Sequence, residues 1–367
     1  MSDQKQNNEQ HIPELPKLTE DKIEPEKTIY SYAELLNYSS ELPMLFAPIF
    51  LAEGLAVLYG PTGCGKSNLL RLMCACVGAQ RDFLKWTYQG KHHRAIYCSS
   101  EDGANITAWA LRKMNKELNL PEEAAQRIRF LFENDAEMLP DRLREMLTQQ
   151  LVDLIVVDAF DDAFIGRSTN DTLEVRRFLD IYAAIAKEFH CLIIFNAHAS
   201  KFSANMPPSP AAALGSQAII SRPRLAIEMR PDRLNEDVKH LCIVKGTHLS
   251  SDHKKESHVL KMDKDTLTFI RTDDRVPFAE LVSPRTKTEE QPKSPQSYTY
   301  SQHSSFLLGA FANGMLNNSE LKKCIMEKFT IGDYKARDYV TYYLAQKWIE
   351  QTTLGEKHAK LYRCLLE

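Results

Sequence analysis

The sequence lacks the features that would assign it to a membrane, secreted or zinc-binding class. No apolar run approaches the ~18–20 residues that a membrane-spanning helix needs. The polar amino-terminal region has no apolar stretch of the kind found in signal peptides. The eight cysteines include no Cys-x-x-Cys pair, and most lie in apolar runs, which predicts reduced, buried side chains. We therefore expect a cytoplasmic protein without membrane association.

The chain also lacks a strong excess of one charge. Acidic residues (49) nearly balance basic residues (46), for a net charge of -3. That balance excludes a histone-like polycation, although a balanced total can still include a local basic surface for nucleic acid. Hydrophobic residues make up 43% and charged residues 26% of the 367 positions. Composition and length together predict an ordinary globular protein of two domains.

Changes in composition divide the chain into four segments. Residues 1–28 hold seven acids, four lysines, three prolines and no aromatic residue, which predicts a disordered tail. Residues 29–282 alternate short apolar runs with longer amphipathic stretches, a pattern typical of an α/β domain with a mostly parallel sheet. Residues 283–299 are proline-rich and polar, as in a linker. Residues 300–367 predict a small α+β domain of winged-helix-like order, with three helices before a hairpin and Ser319 capping the second helix.

The strongest functional signal is a glycine-rich loop between an apolar strand and a helical stretch. The loop fits the pattern G-x-x-x-x-G-K-[ST] completely. Its glycines let backbone N–H groups surround a phosphate chain, and the positive end of the following helix adds to the field. We expect Lys66 to contact the β- and γ-phosphates of ATP, and the Ser67 hydroxyl to ligate Mg²⁺. The predicted nucleotide-binding residues are Gly60, Pro61, Thr62, Gly63, Cys64, Gly65, Lys66, Ser67 and Asn68.

Polar residues end two further apolar runs of the predicted sheet. Asp158 ends the run LIVVD, where a carboxylate can hold Mg²⁺. Glu101 follows the run that precedes it in the chain, and a carboxylate there can orient and deprotonate the attacking water. Asp161 and Asp162 are alternative polar groups over the site, or solvated loop acids. Because ligands bind at the carboxyl ends of parallel strands, all these carboxylates are expected near the phosphate loop.

A third apolar run delivers Asn196 and His198 to the same predicted edge. Both side chains can hydrogen-bond the γ-phosphate and respond to its loss. We therefore predict His198 as a further member of the catalytic site.

In this order the motifs resemble those of RecA-fold ATPases, and among them the plasmid RepA-type hexameric helicases. The resemblance covers about residues 29–271. It implies a RecA-like core, Glu101 as the catalytic glutamate and assembly into a hexameric ring. It also implies that Arg224 and Lys245 reach the γ-phosphate of a neighbouring subunit. The match at Lys245 is partial, because Thr247 stands where the family has asparagine.

The resemblance also suggests contacts with DNA and with adenine. RecA-fold proteins carry DNA-binding loops in the region of residues 200–213, so Lys201 is a candidate phosphate contact; a surface loop without nucleic acid is the alternative. Lys335 and Arg337 begin the third carboxyl-terminal helix, which a winged helix docks into the major groove, unless this domain binds protein instead. Trp109 is a candidate to stack on adenine, or else a core residue.

Two functions fit these motifs. The first is an ATP-hydrolysing ring that acts on DNA, as a replicative helicase or translocase of a plasmid or mobile element. The second is an ATP-switched DNA-binding assembly or regulatory ATPase, similar to recombination mediators, that does not unwind DNA. A metabolic P-loop kinase fits less well, because the sequence has no recognisable substrate lid.

Overall fold

The computed structural model of the protein forms two compact units that meet between Ser283 and Pro284. The residues it describes are 28–38, 41–133, 135–164, 166, 168–200, 205–213, 215, 217–282, 294–354 and 359–366. The predicted tail, apart from Thr28, and residues 283–293 of the predicted linker lie outside these ranges. Within them, no helix has the length and apolar character needed to cross a bilayer.

The first unit alternates strands and helices. Its strands are β1 (Met44–Ala47), β2 (Phe50–Leu51), β3 (Gly54–Gly60), β4 (Thr87–Tyr88), β5 (Ala95–Ser99), β6 (Ile128–Leu131), β7 (Leu154–Asp158), β8 (Leu192–His198), β9 (Leu225–Pro231), β10 (Val238–Gly246), β11 (Glu256–Met262) and β12 (Phe269–Pro277). Its helices are α1 (Tyr32–Leu36), α2 (Lys66–Ala79), α3 (Ala104–Leu118), α4 (Glu122–Gln126), α5 (Leu139–Gln149), α6 (Phe160–Ala163), α7 (Thr172–Glu188) and α8 (Ala218–Ser221).

A nine-stranded sheet, in the order β12-β11-β10-β9-β3-β8-β7-β5-β6, organises this unit. The strands from β9 to β6 are parallel, and β10, β11 and β12 extend the sheet as an antiparallel meander. The central strands are apolar along their whole length because helices cover both faces: α2 packs on one, and α5 and α7 pack on the other. The carboxyl ends of β3, β5, β7 and β8 therefore meet at one edge of the sheet.

Short strands complete the first unit. A separate three-stranded sheet pairs β1 with β2 and β4 through an aromatic cluster that includes Phe46, Phe50 and Phe83. Six of the eight cysteines are buried, as their apolar surroundings predict.

The second unit combines three helices with a three-stranded sheet. Its elements are α9 (Tyr300–Ala310), β13 (Leu316–Asn317), α10 (Asn318–Phe329), α11 (Asp333–Ala345), β14 (Ile349–Leu354) and β15 (Ala359–Cys364), with the sheet order β13-β15-β14. The prediction that Ser319 caps the second helix is wrong. Asn317 caps α10, because its side chain accepts the N–H groups of Ser319 and Glu320 while the Glu320 carboxylate accepts the Asn317 N–H.

Candidate functional site

The phosphate loop joins β3 to α2 in the conformation that its glycines permit. Gly63 and Gly65 have positive φ angles of 75° and 97°. Gly60 has a different reason to be glycine: a Cβ atom there would lie 2.3 Å from the carbonyl oxygen of Met229 on the neighbouring strand β9. The loop is therefore shaped both by its own backbone torsions and by close contact with the sheet.

The amino end of α2 is free to bind an anion. Its N-cap is Gly65, and no described side chain caps this helix end, so the first N–H groups stay available to phosphate oxygens. The Lys66 side chain is buried and folds back over the loop. Its Nζ donates to the carbonyl oxygens of Gly60 and Pro61, each at 3.0 Å. A concentrated positive field thus lies where the sequence predicts the β- and γ-phosphates.

Ser67, Asp158 and Asn196 form a connected polar cluster at the carboxyl edge. The amide of Asn196 donates to the Asp158 carboxylate at 2.5 Å and to Ser67 Oγ at 3.3 Å. Asn196 Oδ1 is buried without a hydrogen-bond partner among the described residues. The cluster offers hydroxyl, carboxylate and amide oxygens, the donors that a hard cation such as Mg²⁺ prefers. These residues therefore fit the predicted metal.

Glu101 lies in the turn after β5, close to the phosphate loop. Its Oε1 is 3.7 Å from Nε2 of His198, and Nδ1 of His198 lies 3.4 Å from Thr62 Oγ1. His198 thus bridges the phosphate loop and the candidate catalytic base. The Glu101 side chain is half exposed, which leaves room for a water beside it. The structure brings together all the site residues that were predicted to act within one subunit.

Asp161 and Asp162 lie beside this cluster. Burial raises the pKa of Asp161, against the opposing charges of His198 and Lys66. Asp162 instead accepts a hydrogen bond from Ser100 Oγ at 2.8 Å. Asp161 is therefore the better placed of the two alternatives to Glu101.

Two further site residues were not predicted from the sequence. The Tyr97 hydroxyl donates to the Asp158 carboxylate, and burial together with Asp158 raises the pKa of Tyr97 well above its ordinary value, so the hydroxyl keeps its proton. Arg71 on α2 is buried and pairs with Asp102, next to Glu101, at 2.6 Å. The alternation of β5 could have placed Tyr97 on the face toward α2, but nothing in the pattern of α2 singles out Arg71.

Arg224 and Lys245 lie at the opposite edge of the sheet from the phosphate loop. Leu225 pairs with Ala56 near the start of β3, and Lys245 pairs with Ala226, whereas the phosphate loop follows the far end of β3. Arg224 is exposed. Lys245 Nζ donates to three carbonyl oxygens, those of Ile220 (3.0 Å), Pro223 (2.6 Å) and Ser221. Neither residue can act on the nucleotide of its own subunit.

The remaining candidates are only partly described. Trp109 on α3 is 51% exposed and not a core residue, and the Lys113 ammonium lies 4.7 Å from its ring centroid. Lys201 and most of its loop lie outside the described residues. On α11, Arg337 is exposed and pairs with Asp333 at 3.0 Å, while Lys335 is partly exposed.

Comparison with known proteins agrees with this geometry. Residues 30–204 match the family model of an AAA domain. The AAA domain thus includes the phosphate loop, Glu101, Asp158 and His198. Among solved structures, the ATPase domain of a helicase aligns with a TM-score of 0.50 over 66% of this chain and 96% of that chain, at 9% identity. No curated protein matches the sequence.

These findings confirm the predicted fold class, a RecA-like P-loop core with a mostly parallel sheet. At such low identity the structural likeness concerns the fold alone. Together with the AAA domain, it supports nucleotide binding and an ATPase of the helicase type.

Proposed function

We propose that this protein hydrolyses ATP at the carboxyl edge of its sheet and uses the cycle to act on DNA, as a replicative helicase or translocase of a plasmid or mobile element. The observation that carries the proposal is the continuous chain of contacts from Thr62 through His198 to Glu101. Such a chain links the γ-phosphate position to the candidate base, which a phosphate-binding module without catalysis does not need.

The proposed chemistry is in-line attack of water on the γ-phosphorus. Lys66 and the N–H groups of the loop hold the β- and γ-oxygens. Glu101 orients the water and accepts its proton. His198 contacts Glu101 from one side and the loop from the other, so it moves the base when the γ-phosphate leaves.

Ser67 and Asp158 would hold a Mg²⁺ ion, which when bound supplies positive charge to the β- and γ-oxygens. Asn196 keeps these two side chains together. Tyr97 donates to Asp158 and fixes the direction of its carboxylate.

We propose that the active form is a hexameric ring, in which Arg224 and Lys245 complete the site of the next subunit. Their position at the sheet edge opposite the phosphate loop supports this role, since a trans-acting group must lie away from its own nucleotide. The candidate DNA contacts are the loop with Lys201 and, in the second unit, Lys335 and Arg337.

The deciding experiment measures ATPase rate with and without single-stranded DNA, together with mass by light scattering and strand displacement on a forked duplex. We expect a ring whose hydrolysis rises with DNA and drives displacement. A ring that hydrolyses ATP slowly, assembles on DNA with nucleotide and separates no strands would instead support the ATP-switched assembly. A protein that binds no ATP would contradict both functions.

A further inference from the structure

A buried arginine connects three parts of the candidate site. Arg71 lies one helical turn beyond Ser67 on α2, and its side chain is only 3% exposed. Its Nη2 donates to Asp102 at 2.6 Å, and its Nη1 donates to Asn68 Oδ1 at 3.1 Å. Its guanidinium carbon lies 5.4 Å from the ring centroid of Tyr97. One cation thus contacts the turn that carries Glu101, the phosphate-loop helix and the tyrosine that binds Asp158.

Burial of this charge is stabilising only in the presence of its partners. A buried ion whose partner is removed destabilises its surroundings strongly, because the remaining charge is left in a poorly polarisable interior. Burial lowers the pKa of Arg71, but Tyr97 and Asp102 more than offset this, so its pKa is raised overall and the charge persists. The attraction therefore acts continuously on the Asp102 carboxylate.

Little else fixes the turn that carries Glu101. A cavity of about 450 Å³ separates parts of α2 and α3, with Arg71 and Ala75 on one side and Leu111 and Met114 on the other. Only Thr107, Ala110 and Met114 of α3 are buried. The other tie of the turn is a hydrogen bond of 2.9 Å from Ser99 Oγ to the Asp102 carbonyl. Packing alone therefore constrains the start of α3 weakly.

We propose that Arg71 is a positioning residue for ATP hydrolysis: it holds Asp102, and through it the adjacent Glu101, at a fixed place relative to the phosphate-loop helix. The inference rests on the proposed function, since Glu101 is the base assigned there. In this role Arg71 contacts neither the nucleotide nor the attacking water. It acts on the angle and distance at which Glu101 meets the γ-phosphate, and on Asp158 through Tyr97.

The test compares Arg71→Met, Arg71→Lys and Asp102→Asn. Loss of the ion pair should lower kcat about 10- to 100-fold while KM for ATP changes less than about threefold, because a misplaced catalytic group of this kind loses rate on that order. Arg71→Lys keeps the charge and should recover part of the loss. Because both residues act through one contact, the double variant Arg71→Met/Asp102→Asn should fall no further than either single variant.

A matched control separates positioning from general stability. Asp153 is also buried and accepts the N–H groups of Lys91, His92 and His93, but at the opposite edge of the sheet. Asp153→Asn should lower the melting temperature and leave kcat of the folded protein unchanged. If Arg71→Met and Asp102→Asn behave like Asp153→Asn, the positioning role is wrong. Should Arg71→Met fail to fold, Asp102→Asn decides alone.

Hydrogen exchange gives a readout that does not need turnover. Amides of residues 100–107 should exchange faster in Arg71→Met and Asp102→Asn than in the wild type, and as slowly as the wild type in Asp153→Asn. If the wild type hydrolyses no ATP, the proposed function fails while this measurement still tests the tether. Unchanged exchange in this segment would overturn the inference.

Discussion

At the scale of single residues, the site depends on groups that are close in space but separate in role. Lys66 and the helix end bind phosphate, Ser67 and Asp158 supply oxygen ligands, and Glu101 stands to one side with His198. This separation means that binding and hydrolysis should be lost independently when different side chains are changed.

Glu101→Gln should leave nucleotide binding intact and lower the hydrolysis rate by about 10²- to 10⁴-fold, because the amide keeps the size of the side chain but cannot accept the proton of water. Titration calorimetry with ATP and a steady-state phosphate-release assay measure the two quantities. Lys66→Ala is the contrasting variant and should lose both binding and turnover. Normal hydrolysis by Glu101→Gln would move the base role to Asp161.

Gly60→Ala should destabilise the first unit. The added methyl group would lie 2.3 Å from a carbonyl oxygen of β9, and backbone on both sides leaves little room for adjustment. Overpacking of this kind typically destabilises by about 1–3 kcal/mol. Urea unfolding measures the change. Gly309→Ala, where a Cβ meets no atom within 4 Å, is the control and should not weaken the first unit.

At the scale of elements, α9 is held by a buried histidine. His303 Nε2 donates to the Pro295 carbonyl at 2.9 Å, and Nδ1 accepts from the Tyr343 hydroxyl at 2.9 Å. Burial lowers the pKa of His303, although the Pro295 bond opposes this. The neutral ring is therefore part of the folded second unit, and the charged ring is not.

Stability of the second unit should accordingly fall as pH decreases from about 7 to about 5. The unfolded state, with an ordinary pKa near ~6.5, takes up a proton before the folded state does, so acid favours unfolding. Urea unfolding followed by Trp348 fluorescence in a Trp86→Phe/Trp109→Phe background measures the effect. His303→Gln can keep both hydrogen bonds without titrating, and its stability should vary less over this range. Equal pH dependence of the two proteins would contradict the assignment.

The elements of the sheet centre were predictable because buried parallel strands are continuous apolar runs bounded by motif residues. Strands β1, β2 and β4 were not, since elements of two to four residues have no periodicity to detect. In β6 the charged Arg129 interrupts the apolar pattern. The helix cap at Asn317 was missed because Asn317, Asn318 and Ser319 are all capping residue types, and only the reciprocal contact with Glu320 distinguishes them.

Contacts that join distant segments were beyond prediction for a different reason. An arginine within an amphipathic helix ordinarily faces water, and Arg71 is buried only because Asp102, from another segment, is there to meet it. The candidate site could thus be predicted where residues share a motif, and not where they are brought together by packing alone.

At the scale of the whole molecule, the separation of Arg224 from the phosphate loop makes a prediction about mixed assemblies. Arg224→Ala should be inactive alone, because every site would lack its neighbour's guanidinium. Mixed with Glu101→Gln, it should regain part of the activity, since some interfaces then combine an intact Glu101 with an intact Arg224. Phosphate release from titrated mixtures measures this. Full activity of Arg224→Ala by itself, or of an isolated monomer, would contradict action between subunits.

Lys245 faces a choice between two sets of oxygens. Its ammonium is occupied by the carbonyls of Ile220, Ser221 and Pro223, and burial and nearby Arg224 and Arg222 lower its pKa. To reach a phosphate across a subunit boundary it must abandon these carbonyls, each bond being worth about 1.5–3 kcal/mol for a charged donor. Such a lysine would behave as a latch with a threshold: a loose encounter between protomers leaves it bound to its own carbonyls, and only a neighbour loaded with nucleotide draws it out.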